Sequence, residues 1–182
     1  MSKLSQAIAE GDGISFIVEV GDAASAESAE SQGADGLAAL AQVNAVRASS
    51  QLPLLHLGRM HDAKGAAADA VVIRPDLAMW EEAHALGLEC VVRVSESSDV
   101  ERSLHSFDPE VFLLTVDPDS DELPLPALLE LLHDVPAGKL AIAELHDATP
   151  EEVSELERSG IDAVLVSPDG LATLVQSGPP DV

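Results

Sequence analysis

One cysteine, three lysines and no glycine-rich phosphate loop are all that this chain offers where many enzymes keep their chemistry. With Cys90 alone there can be no intramolecular disulfide and no multi-cysteine zinc cage. Its setting, Leu88-Glu89-Cys90-Val91-Val92, reads as a strand interior holding a small buried hydrophobe. No stretch approaches the roughly 18 to 20 consecutive apolar residues of a membrane span, and the first ten residues lack the apolar run of a signal peptide. A cytoplasmic protein without membrane association is the expectation. Gly-x-Gly-x-x-Gly, Walker and Gly-x-Ser-x-Gly patterns are missing, which argues against dinucleotide cradles, P-loops and serine elbows. No cofactor is expected. Nine Lys and Arg stand against 33 Asp and Glu, a formal charge of -24. That charge opposes phosphate backbones and anionic lipid, so neither nucleic acid nor a membrane is an expected partner. So acidic a surface reads first as a solvated face.

What is present is an apolar fraction of 46% in 182 residues, enough for one core. Eight short runs rich in Val, Ile and Leu occur at 14–20, 36–42, 53–58, 69–74, 88–94, 110–116, 139–145 and 161–167. Most are nearly continuous rather than alternating, as strands covered on both faces of a parallel sheet are. Helical patterns follow most of them: Asp22 to Gln32 before Gly33, Pro75 to Leu86 before Gly87, Ser98 to Phe107, and Pro124 to Asp134. Thr149-Pro150-Glu151-Glu152 is the clearest start signal, an N-cap followed by proline and first-turn carboxylates, and its helix ends at Gly160.

A weak repeat supports the strand count. Gly33-Ala34-Asp35-Gly36-Leu37, Ala68-Asp69-Ala70-Val71-Val72 and Gly160-Ile161-Asp162-Ala163-Val164 each set a small residue and Asp before an apolar strand, and Asp108-Pro109-Glu110-Val111 is a looser fourth. These fall on every even strand, which suits a barrel of βαβα quarters. The fold class is therefore α/β, a compact (β/α)8 TIM barrel over residues 1–182, with 1–13 as lead-in and 177–182 as tail. An open doubly wound parallel sheet is the alternative. Such barrels typically run to about 250 residues. Between Gln42 and Pro53, and between Gly58 and Ala68, too few residues remain for a full helix, so the second and third helices are expected to be shortened or missing. Side chains around Leu37, Leu40, Leu52 and Leu54 would then lose their cover, and a homodimer through that side is expected.

In a parallel barrel, chemistry sits at the C-terminal strand ends. Glu19 and Glu144 are the catalytic candidates, with Arg93: carboxylates meeting across the mouth could do acid/base work, or Arg93 and Arg74 could neutralise them in a structural ion-pair cluster. For a small-molecule ligand at the strand C-termini the candidates are Arg74, Thr115, Asp117, His146, Ser167, Asp169 and Gly170. His56, His61, Asp62, His146 and Asp147 have metal-ligand chemistry, but the third and seventh loops lie nearly opposite, so no metal is expected and these read as solvated loop residues. His84, His105 and His133 read as helix-surface residues. A phosphate would have to rest on the amides around Ala148-Thr149 and Asp169-Gly170-Leu171, against the opposing charges of Asp147 and Asp169.

Three passages carry a family resemblance: Phe16-Ile17-Val18-Glu19-Val20, the stretch Ala83 to Val94, and Thr149 through Ser167. In order and character they resemble the indole-3-glycerol phosphate synthase family of tryptophan biosynthesis. The resemblance implies a (β/α)8 barrel and, at matched positions, the family's site. Glu19 matches the glutamate of its first-strand Glu-x-Lys, but Gly21 stands at the lysine. Leu54 to Arg59 lacks the catalytic lysine of the third strand, and Arg93 occupies the place of the fifth-strand glutamate base. Thr115-Val116-Asp117 lacks the sixth-strand Asn. Only Glu144 agrees with the seventh-strand Ser-Glu-Ser-Gly, and Ser167-Pro168-Asp169 replaces the eighth-strand Gly-Glu-Ser. Ring closure with loss of carbon dioxide needs an acid for the leaving hydroxyl and cations for a carboxylate and a phosphate. The expectation is a synthase-like barrel without the synthase activity, acting as a binding or assembly module. The alternative is an active lyase or isomerase using the mouth carboxylates.

Overall fold

The computed structural model describes residues 3–11, 13–117 and 123–176. All eight apolar runs form strands: β1 Ser15–Glu19, β2 Gly36–Ala39, β3 Leu54–His56, β4 Ala70–Ile73, β5 Glu89–Val94, β6 Val111–Leu114, β7 Leu140–Glu144 and β8 Ala163–Val166. Each pairs in parallel with the next in chain order, and β1 also pairs β8 from Ser15↔Ala163 to Val18↔Val166, so the ring is closed. That pairing rules out the open doubly wound sheet. The helices are α1 Lys3–Glu10, α2 Ala23–Ser31, α3 Val43–Ser49, α4 Met60–Gly65, α5 Leu77–Leu86, α6 Ser97–Ser106, α7 Pro124–Leu132, α8 Pro150–Ser159 and α9 Pro168–Gln176. As the two gaps require, α3 and α4 are short, at seven and six residues.

Local chemistry sets the helix starts. Thr149 and Glu152 form a capping box at α8, and Asp22 does the same with Ser25 at α2. The Ser25 backbone N–H holds the Asp22 carboxyl below its usual range. Pro75 does not open α5, as the sequence suggested. Asp76 stays extended as the N-cap and accepts a hydrogen bond from Met79 N–H, which leaves Pro75 one residue outside.

The expected apolar patch does not form. Leu37 and Leu54 are only 1% exposed, because Val43 and Val46 of α3 and Met60 and Ala63 of α4 are buried with them in the outer core. Two turns of helix suffice when two apolar residues face inward. Leu40 alone of the four is open, at 61%, so the homodimer loses the premise it rested on.

Inside the ring a second core contains Ile17, Ala38, Leu55, Ala70, Val91, Val111, Leu113, Ile142, Ala163 and Leu165. Leu4 and Ile8 of α1 belong to it as well. The lead-in thus carries a helix whose apolar face closes the N-terminal end of the barrel. Burial, with help from Glu89, pushes the Cys90 thiol up to about 12, in keeping with a packed hydrophobe.

The aspartate repeat has a structural meaning. Asp35 N–H donates to Phe16 O at 2.9 Å while Phe16 N–H donates to Asp35 Oδ2 at 2.8 Å. Asp69 makes the same reciprocal pair with Leu54 (2.9 and 3.0 Å), and Asp162 with Ala141 (3.0 and 2.8 Å). Each bracket ties the start of an even strand to the odd strand before it. The fourth copy departs, since Glu110 rather than Asp precedes β6; Lys139 bridges Asp108 at 3.0 Å and Glu110 at 3.9 Å instead.

Burial raises the Asp162 carboxyl above its ordinary range, against the pull of the Ala141 N–H. A raised acid favours folding when protonated. Its contribution is full below the unfolded pKa and is lost as pH rises through the folded pKa. Asp162→Asn keeps an acceptor without burying charge, so it is expected to be neutral or stabilising at neutral pH, with a flatter stability profile on the acid side. Asp162→Ala orphans the Ala141 N–H and is expected to cost about 1–3 kcal/mol. Denaturant melts across pH check this, and an Asn variant as unstable as the Ala variant would refute it.

Candidate functional site

Strand side chains alternate between the two faces of the sheet. Ile17, Val91 and Ile142 belong to the interior core, so two residues further along β1, β5 and β7 come Glu19, Arg93 and Glu144, the top layer of the interior. The same step past Val72, Leu113 and Leu165 gives Arg74, Thr115 and Ser167, just beyond their strands. The catalytic candidates are therefore brought together at the mouth.

They meet through His146. Its Nδ1 lies 3.6 Å from Glu19 Oε2 and its Nε2 3.4 Å from Glu144 Oε1. Arg93 Nη2 lies 3.3 Å from Glu144 Oε1 and 3.2 Å from Oε2. Only the contact to Oε1 is directed well enough to be a hydrogen bond, so Oε2 is ion-paired yet has no hydrogen-bond donor. The Glu144 side chain is 14% exposed, and an unpaired carboxylate at that depth would be costly. Arg93 answers that charge and leaves its own Nε buried without a hydrogen-bond partner among the described residues. The result is a linear array, Glu19–His146–Glu144–Arg93.

Three neighbouring hollows surround this array. A cleft of about 580 Å³ is lined by Arg93, Thr115, Asp117, Glu144, His146 and Glu152, among others. A second, of about 380 Å³, takes in Arg74, Arg93, Ser95, Asp99, Arg102 and Thr115. Glu19 and Ser167 line a third beside Gly21 and Leu40. Asp169 is exposed in the first turn of α9, apart from all three. Arg102 escaped the sequence reading because it lies on α6 rather than at a strand end.

The two places foreseen for a phosphate are occupied by the chain itself. Ser167 Oγ donates to His146 O at 2.9 Å and accepts from Gly170 N–H at 3.0 Å, and Ser167 N–H donates to the same carbonyl. Thr149 N–H is taken by Glu152, and Glu152 N–H by Thr149. These bonds fix the His146 backbone and leave no amide cradle there. His56 is also not the solvated loop residue expected. It is buried at the end of β3, with Nδ1 3.0 Å from Ala39 O and Nε2 3.1 Å from Arg59 O. Outward alternation from Leu54 carried that signal. Among the described residues no group of three or more His, Cys, Asp or Glu could hold a metal ion, and no helix is long and apolar enough to cross a membrane.

No family model matches the chain. It is similar to the indole-3-glycerol phosphate synthase of Variovorax paradoxus (strain S110), 29% identical over 133 residues, covering 66% of this chain and 50% of that protein. To the enzyme of the same name from Acetivibrio thermocellus it is 25% identical over 134 residues, covering 66% and 52%. The chain spans about half the length of the curated relatives it matches. Among solved structures it resembles the N-acetylmannosamine-6-phosphate 2-epimerase from Clostridium perfringens, with TM-score 0.73, 14% identity and coverage of 90% and 89%. It also resembles the thiamine phosphate pyrophosphorylase from Pyrococcus furiosus, with TM-score 0.70, 14% identity and coverage of 90% and 91%. These two likenesses show the barrel fold.

A Cβ on Gly170 would collide with the His146 carbonyl oxygen, the acceptor that anchors His146. Gly170→Ala is therefore expected to cost about 1–3 kcal/mol, the range for forcing extra atoms into a packed site. Thermal unfolding measures it, and a melting temperature equal to wild type would show that this contact holds nothing.

Proposed function

We propose that this chain is an indole-3-glycerol phosphate synthase-like barrel that does not run the synthase reaction and instead binds a small molecule at its mouth. The Arg93–Glu144 pair carries the reading. Where the family resemblance calls for a glutamate base, a guanidinium lies 3.2 Å from the one seventh-strand carboxylate that agrees with the resemblance. A guanidinium stays protonated and makes a poor acid or base. The lysines do not compensate for it. Lys3 pairs with Asp69 and Lys139 with Asp108 and Glu110, all at the N-terminal strand ends, and Lys64 sits in the last turn of α4.

One observation favours a second reading, a lyase or isomerase. His146 is held between two carboxylates and opens on the 580 Å³ cleft, the arrangement of an imidazole that passes a proton to a ligand.

Each general acid or base typically contributes about 10² to 10⁴ in rate, so replacing the base and losing the acid lysine should remove measurable turnover. Purified protein incubated with carboxyphenylaminodeoxyribulose phosphate is expected to give no indole fluorescence. Turnover above background that disappears in Glu144→Gln would overturn the proposal and support the second reading.

A further inference from the structure

We infer that the cleft above β4, β5 and β6, lined by Arg74, Arg93 and Arg102 with Ser95 and Thr115, binds the oxyanionic group of a small metabolite. The inference deepens the ligand-binding part of the reading above. In a chain of charge -24, half of the six arginines converge on one hollow of about 380 Å³. Like charges so concentrated repel one another unless something anionic sits among them, and within a polar cleft that repulsion is screened only in part.

The chain's own carboxylates answer these guanidiniums only in part. Asp76 and Asp99 also line the cleft. Asp76 caps α5 through Met79 N–H at 3.0 Å. Asp99 accepts from Ser95 N–H at 3.4 Å and pairs with Arg102, 3.4 Å away. Arg93 turns its Nη2 to Glu144 and keeps a buried Nε with no acceptor among the described residues. Arg74, exposed just past β4, makes no hydrogen bond or ion pair among the described residues. Thr115 Oγ1 has only a 3.5 Å contact with the Val116 carbonyl.

Guanidinium donors arrayed around a hydroxyl match the oxygens of a phosphate monoester or a carboxylate, which they bind through paired, charge-assisted hydrogen bonds. The seat differs from the one foreseen after β7 and β8, where Ser167, Gly170, Thr149 and Glu152 satisfy one another.

The test is the melting temperature of the whole chain titrated separately with inorganic phosphate, with malonate, and with chloride at matched ionic strength. A ligand that binds only the folded state must raise it. At least one of the two oxyanions is expected to stabilise the protein beyond chloride, and which one does so tells phosphate from carboxylate. Arg74→Ala and Arg102→Ala, both exposed positions that should still fold, are expected to weaken the apparent affinity by about tenfold or more, the loss of one charge-assisted bond. Arg158→Ala on α8 should leave it unchanged. No stabilisation by either oxyanion, or equal affinity in wild type and the Arg74 and Arg102 variants, would overturn the inference. Such a failure leaves the absence of synthase turnover untouched, because that is read by indole formation and not by anion binding.

Discussion

Closure of eight parallel strands into a ring is the constraint from which the rest of this protein follows. Once β1 pairs with β8, every strand has a concave face that must be filled and a convex face that must be covered, and the two-residue period assigns each side chain to one of them. Ile17, Val91 and Ile142 fill the middle of the ring, so Glu19, Arg93 and Glu144 must form its upper layer. A charged layer there is tolerable only because it borders water on one side and because its members answer each other: His146 between two carboxylates, Arg93 against Glu144. The geometry of the mouth is thus inherited from the ring.

The same constraint explains how so short a chain can close. Small interior residues on the even strands, Ala38, Ala70 and Ala163, sit among larger Ile, Val and Leu, so the interior is packed by a mixture of sizes, as dense cores require. Three aspartate brackets join neighbouring strands at their N-terminal ends. Strands of three to six residues have few ladder bonds of their own, and a reciprocal pair at the strand entry adds two more where fraying would begin. Below them α1 supplies Leu4 and Ile8 to seal the open end. Short α3 and α4 then cost little, since each still buries two apolar side chains over the sheet.

Strand number, order and the two thin helices were legible because continuous apolar runs, glycine stops and gap lengths are local properties of the chain. The aspartate repeat was legible as a pattern but not as a bracket, since its partner lies across a strand pair. What could not be read was set by tertiary packing. The helix at Lys3–Glu10 is too short for Leu4, Ala7 and Ile8 alone to separate it from a lead-in, and only the hole beneath the ring explains its apolar face. His56 was read with the solvated loop histidines because it ends its strand, yet its position on the outward face of β3 carries it under the loop. There the Ala39 and Arg59 carbonyls hold it, and Gly58 leaves room for its ring, which a Cβ would approach to 2.9 Å. Strand ends were enough to group the mouth candidates at one end of the ring, Asp169 excepted. Which of them touch depended on ring neighbours and on Arg102, contributed by a helix.

The placement of cations makes a final physical point about the mouth. Lys3, Arg47 and Lys139 are spent at the N-terminal strand ends on Asp69, Asp108 and Glu110, where they compensate acids of the aspartate repeat and its fourth, departing copy. Arg74, Arg93 and Arg102 are gathered at the opposite end. With only nine cations in the chain, these two groups account for six, and the helical exterior is left to acidic residues with little to offset them. The long-range field of such a body repels anions, and salt screens it beyond about 8–10 Å. Inside the cleft the nearest charges dominate, and those include three guanidiniums, of which Glu144 offsets Arg93, Asp99 offsets Arg102 and Arg74 is left open. An anion reaching the mouth therefore meets a weak repulsion outside and a local attraction within. That combination favours capture by direct contact over long-range steering. For the anion site we propose, it places the burden of recognition on the geometry of Arg74, Arg93 and Arg102 rather than on the net charge of the protein.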